Sequence, residues 1–189
     1  MGTLFVDKLD PQSGTSLEIG SSGDTITIPS GCTITNNGTQ TGFGGVMTPA
    51  FQSYKASNQS VSNNTDTLVQ YDTEEYDTAN AYDTSTYRFT PQTAGKYFVY
   101  ATILPSGDAN SAYEKGFLYV RKNGTREIES RYDLQSNNGR SASCSVSCVL
   151  TLNGSSDYVD VYATIDSTGT SLLEADRRFS RFGAFRIIQ

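Results

Sequence analysis

Residues 95–104 constrain this chain most, because Tyr97, Val99, Ala101 and Ile103 fall on one side of an extended segment while Phe98, Tyr100, Thr102 and Leu104 fall on the other. A strand that is apolar on both sides needs two dry surfaces. One side can face the core of a two-sheet sandwich, and in a protein without a helical coat the other is expected to meet another copy of the chain. The same reasoning applies to the closing segment 179–188. Tyr97 or Phe98, Tyr100, Phe182 and Phe185 are therefore the candidates for a seam between copies, with both faces of each alternating pair left open.

The rest of the chain reads as all-β. Thr, Ser and Gly dominate and Asn and Tyr are frequent, while the helix formers Lys and Glu are scarce. Residues 141–152 alternate cleanly, with Ala142, Cys144, Val146, Cys148, Leu150 and Leu152 against a face of serines and threonine that only Val149 interrupts. Val159, Val161, Ala163 and Ile165 form the inner face of another strand. Asn123-Gly124, Asn138-Gly139 and Asn153-Gly154 favour tight type I′ turns. Together these signals place strands near 49–55, 67–72, 86–90, 96–104, 115–122, 125–134, 141–152, 157–165 and 179–188.

Residues 1–45 differ. Leu17-Glu18-Ile19, Ile26-Thr27-Ile28 and Thr33-Ile34-Thr35 are very short apolar-containing strands between glycines, and a single copy of such a segment has almost no core. Three copies wound about an axis would have one. The expected organisation is thus an N-terminal β-stem or arm over 1–45 and a head domain over 46–189, joined flexibly through Gly42, Gly44 and Gly45.

Chemistry is sparse. The chain has no histidine, which removes the commonest general base and excludes Ser-His-Asp and Cys-His catalysis within one chain. Cys32, Cys144 and Cys148 are too few for a disulfide framework, and Cys144 and Cys148 stand about 13 Å apart along one strand, so they read as small buried apolar residues. The net charge of −6 argues against a nucleic-acid partner. Met1 to Asp7 lacks the basic and apolar regions of a signal peptide, and no stretch is long enough to cross a membrane. Release within a particle is then the expected route out of a cell.

The acidic segment 71–84 carries three Tyr-Asp-Thr triplets. Asp72, Glu74, Glu75 and Asp77 are candidate calcium ligands, since Ca²⁺ takes many oxygen donors, although their spacing does not match an EF-hand. Tyr71, Tyr76, Tyr82 and Asp83 are candidates for stacking on and hydrogen-bonding a glycan. The alternative is a solvated acidic loop whose tyrosines pack on the sandwich edge. Asp66, Asp72 and Glu75 are the carboxylates a hydrolase would draw on. Arg177, Arg178, Arg181 and Arg186 can grip a carboxylate or a partner subunit, or serve as surface ion pairs.

Phe89-Thr90-Pro91, then Ala94-Gly95 and Tyr97, followed by Val120-Arg121-Lys122-Asn123-Gly124, resemble the complement globular-head (C1q) domain, a relative of the tumour necrosis factor jelly roll. Phe182 to Ile188 is similar to that family's closing strand, Pro49-Ala50-Phe51 to its opening strand, and Tyr82-Asp83 fits the approach to Phe89. The resemblance implies an antiparallel jelly-roll sandwich of about ten strands, homotrimers, and binding in place of catalysis; some relatives carry calcium. The opening segment, with Gly14 to Gly20 and Gly23 to Gly31, resembles the N-terminal attachment segments of tailed-phage fibres. The combined expectation is a non-enzymatic, homotrimeric virion protein. Its arm would bind other virion proteins and its head the host surface or neighbouring virion proteins, as a fibre or appendage. The alternatives are a capsid decoration (cement) protein and, second, a glycan-processing enzyme.

Overall fold

The computed structural model describes residues 9–38, 47–107, 113–134 and 137–187. The chain divides into two compact units, Met1–Thr41 and Gly42–Gln189. Fourteen strands and no helix are assigned among the described residues. They are β1 (Ala50–Tyr54), β2 (Gln59–Val61), β3 (Thr67–Leu68), β4 (Thr73–Asp77), β5 (Tyr82–Asp83), β6 (Arg88–Phe89) and β7 (Gly95–Ile103). The second half adds β8 (Pro105–Gly107), β9 (Tyr113–Lys122), β10 (Thr125–Asp133), β11 (Cys144–Leu152), β12 (Val159–Ser167), β13 (Ser171–Leu173) and β14 (Arg181–Arg186).

All pairings are antiparallel. One sheet runs β11-β7-β14-β1-β4, the second runs β10-β9-β12-β6-β5 with β3 beside β12, and a small sheet runs β2-β13-β8. The first and last strands are neighbours, Ala50 opposite Phe185, which closes the jelly roll.

The two large sheets meet over the inward alternation of their strands. Tyr97, Val99, Ala101 and Ile103 of β7 are fully buried, as are Val159 and Ile165 of β12, with Val161 and Ala163 only 1 % exposed. In β11 the expected alternation holds, with Cys144, Val146, Leu150 and Leu152 inside and Ser145, Ser147, Val149 and Thr151 outside. An aromatic clasp fixes the sheets together. Phe51 stacks on Tyr82 at 4.7 Å and on Phe89 at 4.5 Å, and meets Phe182 edge-on at 4.9 Å.

Several elements depart from the sequence reading. The acidic segment is not a free loop, because Thr73–Asp77 forms β4 on the edge of the first sheet, paired to β1. Asn123 (φ 51°) and Gly124 (φ 82°) make the expected tight turn between β9 and β10. Asn153-Gly154 does something else. The Asn153 side-chain oxygen accepts from the N–H groups of Ser155, Ser156 and Asp157, capping a longer loop. Gly139 forms an isolated bridge to Tyr113 and no tight hairpin.

In the first unit, none of residues 9–38 is in a strand or helix. The three short strands expected there therefore do not form within one chain. Leu17, Ile19, Ile26, Ile28 and Ile34 are 45–60 % exposed. The glycine joint at Gly42, Gly44 and Gly45 lies outside the described residues.

Candidate functional site

The outer face of the β11-β7-β14-β1-β4 sheet carries three cross-strand rows, set by the antiparallel register. The first row is Val149, Phe98, Phe185 and Ala50. It is apolar throughout. Phe98 and Phe185 rings lie 5.4 Å apart and are half-buried, while Val149 is 53 % exposed. The second row is Ser147, Tyr100, Gly183, Gln52 and Tyr76. The third is Ser145, Thr102, Arg181, Tyr54 and Thr73. Along the strands the face thus grades from dry to polar.

The middle row is tied together by hydrogen bonds. Tyr100 Oη donates to Gln52 Oε1 at 2.6 Å, and Gln52 Nε2 donates to Glu75. The Tyr100 ring can cross Gly183 only because that residue has no side chain, since a Cβ there would lie 2.3 Å from Tyr100 Oη. Burial pushes the Tyr100 phenol up to about 12. Glu75 also takes Arg177 and, at 3.8 Å, Arg181. Phe98, Tyr100, Ala101, Thr102, Ser145, Val146 and Ser147 line a shallow depression of about 300 Å³ on this face.

Of the seam candidates, Phe98, Tyr100 and Phe185 lie on this outer face. Tyr97 and Phe182 do not. Both are fully buried, Tyr97 edge-on to Phe89 at 5.6 Å and Phe182 against Phe51, so they belong to the core of the sandwich. Val149, Gln52 and Tyr54 complete the face and were not singled out for it. The only signal for Val149 was its interruption of a serine-rich face.

The glycan candidates separate in the same way. Tyr71 is fully buried and donates to Thr102 O at 3.0 Å; Tyr82 is 5 % exposed and donates to Tyr71 O at 2.9 Å. Neither ring can be offered to a sugar, a correction that follows from their place in the aromatic core. Tyr76 is 45 % exposed on β4, and Asp83 is spent locally on Ser85 and Thr86. Those hydrogen bonds lower the Asp83 pKa.

The calcium candidates are not brought together. Asp72 accepts from the N–H groups of Ala56 and Ser57, Asp77 from those of Ala79 and Tyr82, and Glu75 is committed to Gln52 and Arg177. Glu74 is exposed on β4. Among the described residues no group of three or more Asp, Glu, Cys or His is placed to hold a metal.

Asp66, a hydrolase candidate, lies just before β3 of the other sheet, with Arg121 at 3.0 Å and Arg126 at 2.9 Å. Burial would raise its pKa, but hydrogen bonds from Thr164, Tyr119 and Arg126 outweigh that and hold it at about 2. The arginines in turn cover aromatic rings, Arg121 over Tyr162 at 3.7 Å and Arg126 over Tyr119 at 3.8 Å. A carboxylate so committed is a structural anion. Arg178 pairs with Asp176, and Arg186 Nε is buried beside Gly95. All three cysteines are free, Cys144 being buried and Cys32 exposed.

Comparison with known proteins follows the architecture. The family model for the C1q domain matches residues 50–185. Among solved structures, the chain is similar to Eiger TNF from S. frugiperda, at 15 % identity and TM-score 0.57, covering 73 % of this chain and 91 % of that one. It is similar to murine APRIL at 13 % identity and TM-score 0.56, covering 73 % and 98 %. The globular domain of zebrafish complement 1qA protein shares 16 % identity at TM-score 0.52, covering 74 % and 96 %. No curated protein matches.

Proposed function

The chain belongs to the C1q domain family, and on that premise we propose that it is a non-enzymatic homotrimer whose seam is the outer face of the β11-β7-β14-β1-β4 sheet. Domains of this kind are in general non-catalytic, trimeric and ligand-binding. The observation that carries the reading is the row Val149, Phe98, Phe185 and Ala50, an apolar band across four strands on a face that the subunit's own core leaves uncovered.

The arm extends the proposal to a virion. Its resemblance to phage attachment segments supports an appendage of a tailed-phage particle. The arm would join other virion proteins, and the head would present its loops to a host surface or to neighbouring virion proteins. Counting copies in the purified particle tests this, because a few copies fit an appendage and occupancy of every three-fold capsid position fits a decoration protein.

The seam is tested by native mass measurement and sedimentation. A trimer at micromolar concentration is expected, and Val149→Asp or Phe98→Glu should yield monomers that keep their β-sheet spectrum. A wild-type monomer overturns the seam.

A further inference from the structure

The arm contains a repeat marked by backbone conformation and sequence together. Gly14, Gly20, Gly23 and Gly31 have positive φ (79°, 83°, 94° and 86°), and three of them, Gly14, Gly23 and Gly31, are each followed three residues later by an exposed apolar side chain, Leu17, Ile26 and Ile34. Five residues after the glycine stand Ile19, Ile28 and, in the last copy, Asn36. The turns between these segments are formed. Asp24 N–H donates to Ser21 O at 3.0 Å, and Cys32 N–H to Pro29 O at 3.1 Å, each placing a positive-φ glycine third in its turn, as a type II turn requires. Ser21 N–H also donates to Asp24 Oδ2 at 2.7 Å. The corners of a strand ladder therefore exist while none of the segments between them is in a strand.

We infer that residues 14–36 are a three-rung β-repeat that is completed by the same segment of two further copies, parallel and in register about an axis lined by Leu17, Ile19, Ile26, Ile28 and Ile34. The partner needs rungs at intervals of nine and then eight residues, Gly14 to Gly23 to Gly31, to pair backbone and side chains together, and a second copy supplies that spacing at every rung. Residues 9–38 contain no Lys or Arg and only Asp10, Glu18 and Asp24 as acids, so the contact is apolar and not one of opposite charges. Copy number rests on the trimer reading above. A head trimer tethers three arms and raises their effective concentration for one another.

Hydrogen exchange on the full-length protein, with mass measured in parallel, tests the inference. Amides between Thr25 and Thr35 are expected to exchange about 100-fold or more slowly than in an open chain. Ile26→Asn should abolish that protection while leaving a trimeric mass. Cys32 lies two residues before Ile34 on the same side of the chain, so oxidation should link pairs of chains through Cys32 and not in Cys32→Ser. A trimer whose arm amides exchange freely overturns the arm repeat and leaves the seam standing. Protected amides without a Cys32 link would mean that the arm packs elsewhere and also overturn it. A monomer removes both.

Discussion

The Tyr100 hydroxyl reaches Gln52 across Gly183, at 2.6 Å from Tyr100 Oη to Gln52 Oε1. Three adjacent strands contribute one residue each to this crossing, and β14 contributes by having no side chain. In Gly183→Ala the new Cβ would meet Tyr100 Oη at 2.3 Å and Phe51 O at 2.9 Å. The ring can swing away, but the carbonyl is backbone. A loss of about 1–3 kcal/mol in denaturant unfolding is expected, together with weaker association in sedimentation if the proposed trimer forms on this face, since the displaced ring would stand proud of it. Tyr100→Phe keeps the crossing and removes only the hydroxyl, so it should perturb both less.

Phe51 is the residue on which the two sheets converge, touching Tyr82, Phe89 and Phe182. Phe51→Ala is expected to cost about 3–5 kcal/mol in chemical unfolding, with Phe51→Leu costing clearly less because most of the volume is kept. Equal losses for the two would mean that ring stacking and not volume dominates.

Lys55 gives stability an unusual alkaline profile. The residue is 1 % exposed, its ammonium donates to Gln59 Oε1 at 3.2 Å and Gln70 O at 2.8 Å, and burial lowers its pKa from 10.5 to about 8 despite the nearby Asp72. Between these values the unfolded chain binds more protons than the folded one, so this group makes stability rise with pH from about 8 to 10.5. The buried tyrosines act oppositely. Tyr71, Tyr82 and Tyr100 are raised above 10 by burial, so their contribution is intact below pH 10 and is lost as pH climbs through their folded values. Unfolding free energies measured from pH 7 to 12 should therefore peak between about 9 and 10. In Lys55→Met the rising limb should vanish while the falling limb stays.

The sandwich was legible because its long strands alternate over nine or ten residues, as β11 does from Cys144 to Leu152. Strands such as β2, β8 and β13 have three residues each, too few for a period to show. β4 was hidden for another reason. Thr73 to Asp77 is polar because an edge strand pairs on one side only, and of its acids Glu75 is used on Gln52 and Arg177. The outer face proposed as the seam was half legible. Alternation splits residues 97–100 into two faces, but only the register with β14 shows that Phe98 and Phe185 share the outer one. Tyr71 and Tyr82 misled because tyrosines beside acids look the same in sequence whether the ring points to water or into a core.

Asp66 links the loop before β3 to three side chains of the second sheet, accepting from Arg121, Arg126 and Thr164. Its carboxyl is held at about 2, below the ordinary 3.8, so the folded state binds fewer protons and the group stabilises the protein above pH 4. That contribution is lost as pH falls toward 2. The side chain is 43 % exposed, so solvent screening limits the effect to about 1 kcal/mol. Asp66→Asn should therefore lower stability by about that amount at pH 7 and not at pH 2, and added salt should narrow the difference. The variant also leaves Arg121 without its carboxylate partner and Arg126 with Glu129 alone, so hydrogen exchange should rise first at β3, where Thr67 and Leu68 hold only a short pairing with β12. A variant indistinguishable from wild type at pH 7 would mean that the cation–aromatic contacts alone fix this corner.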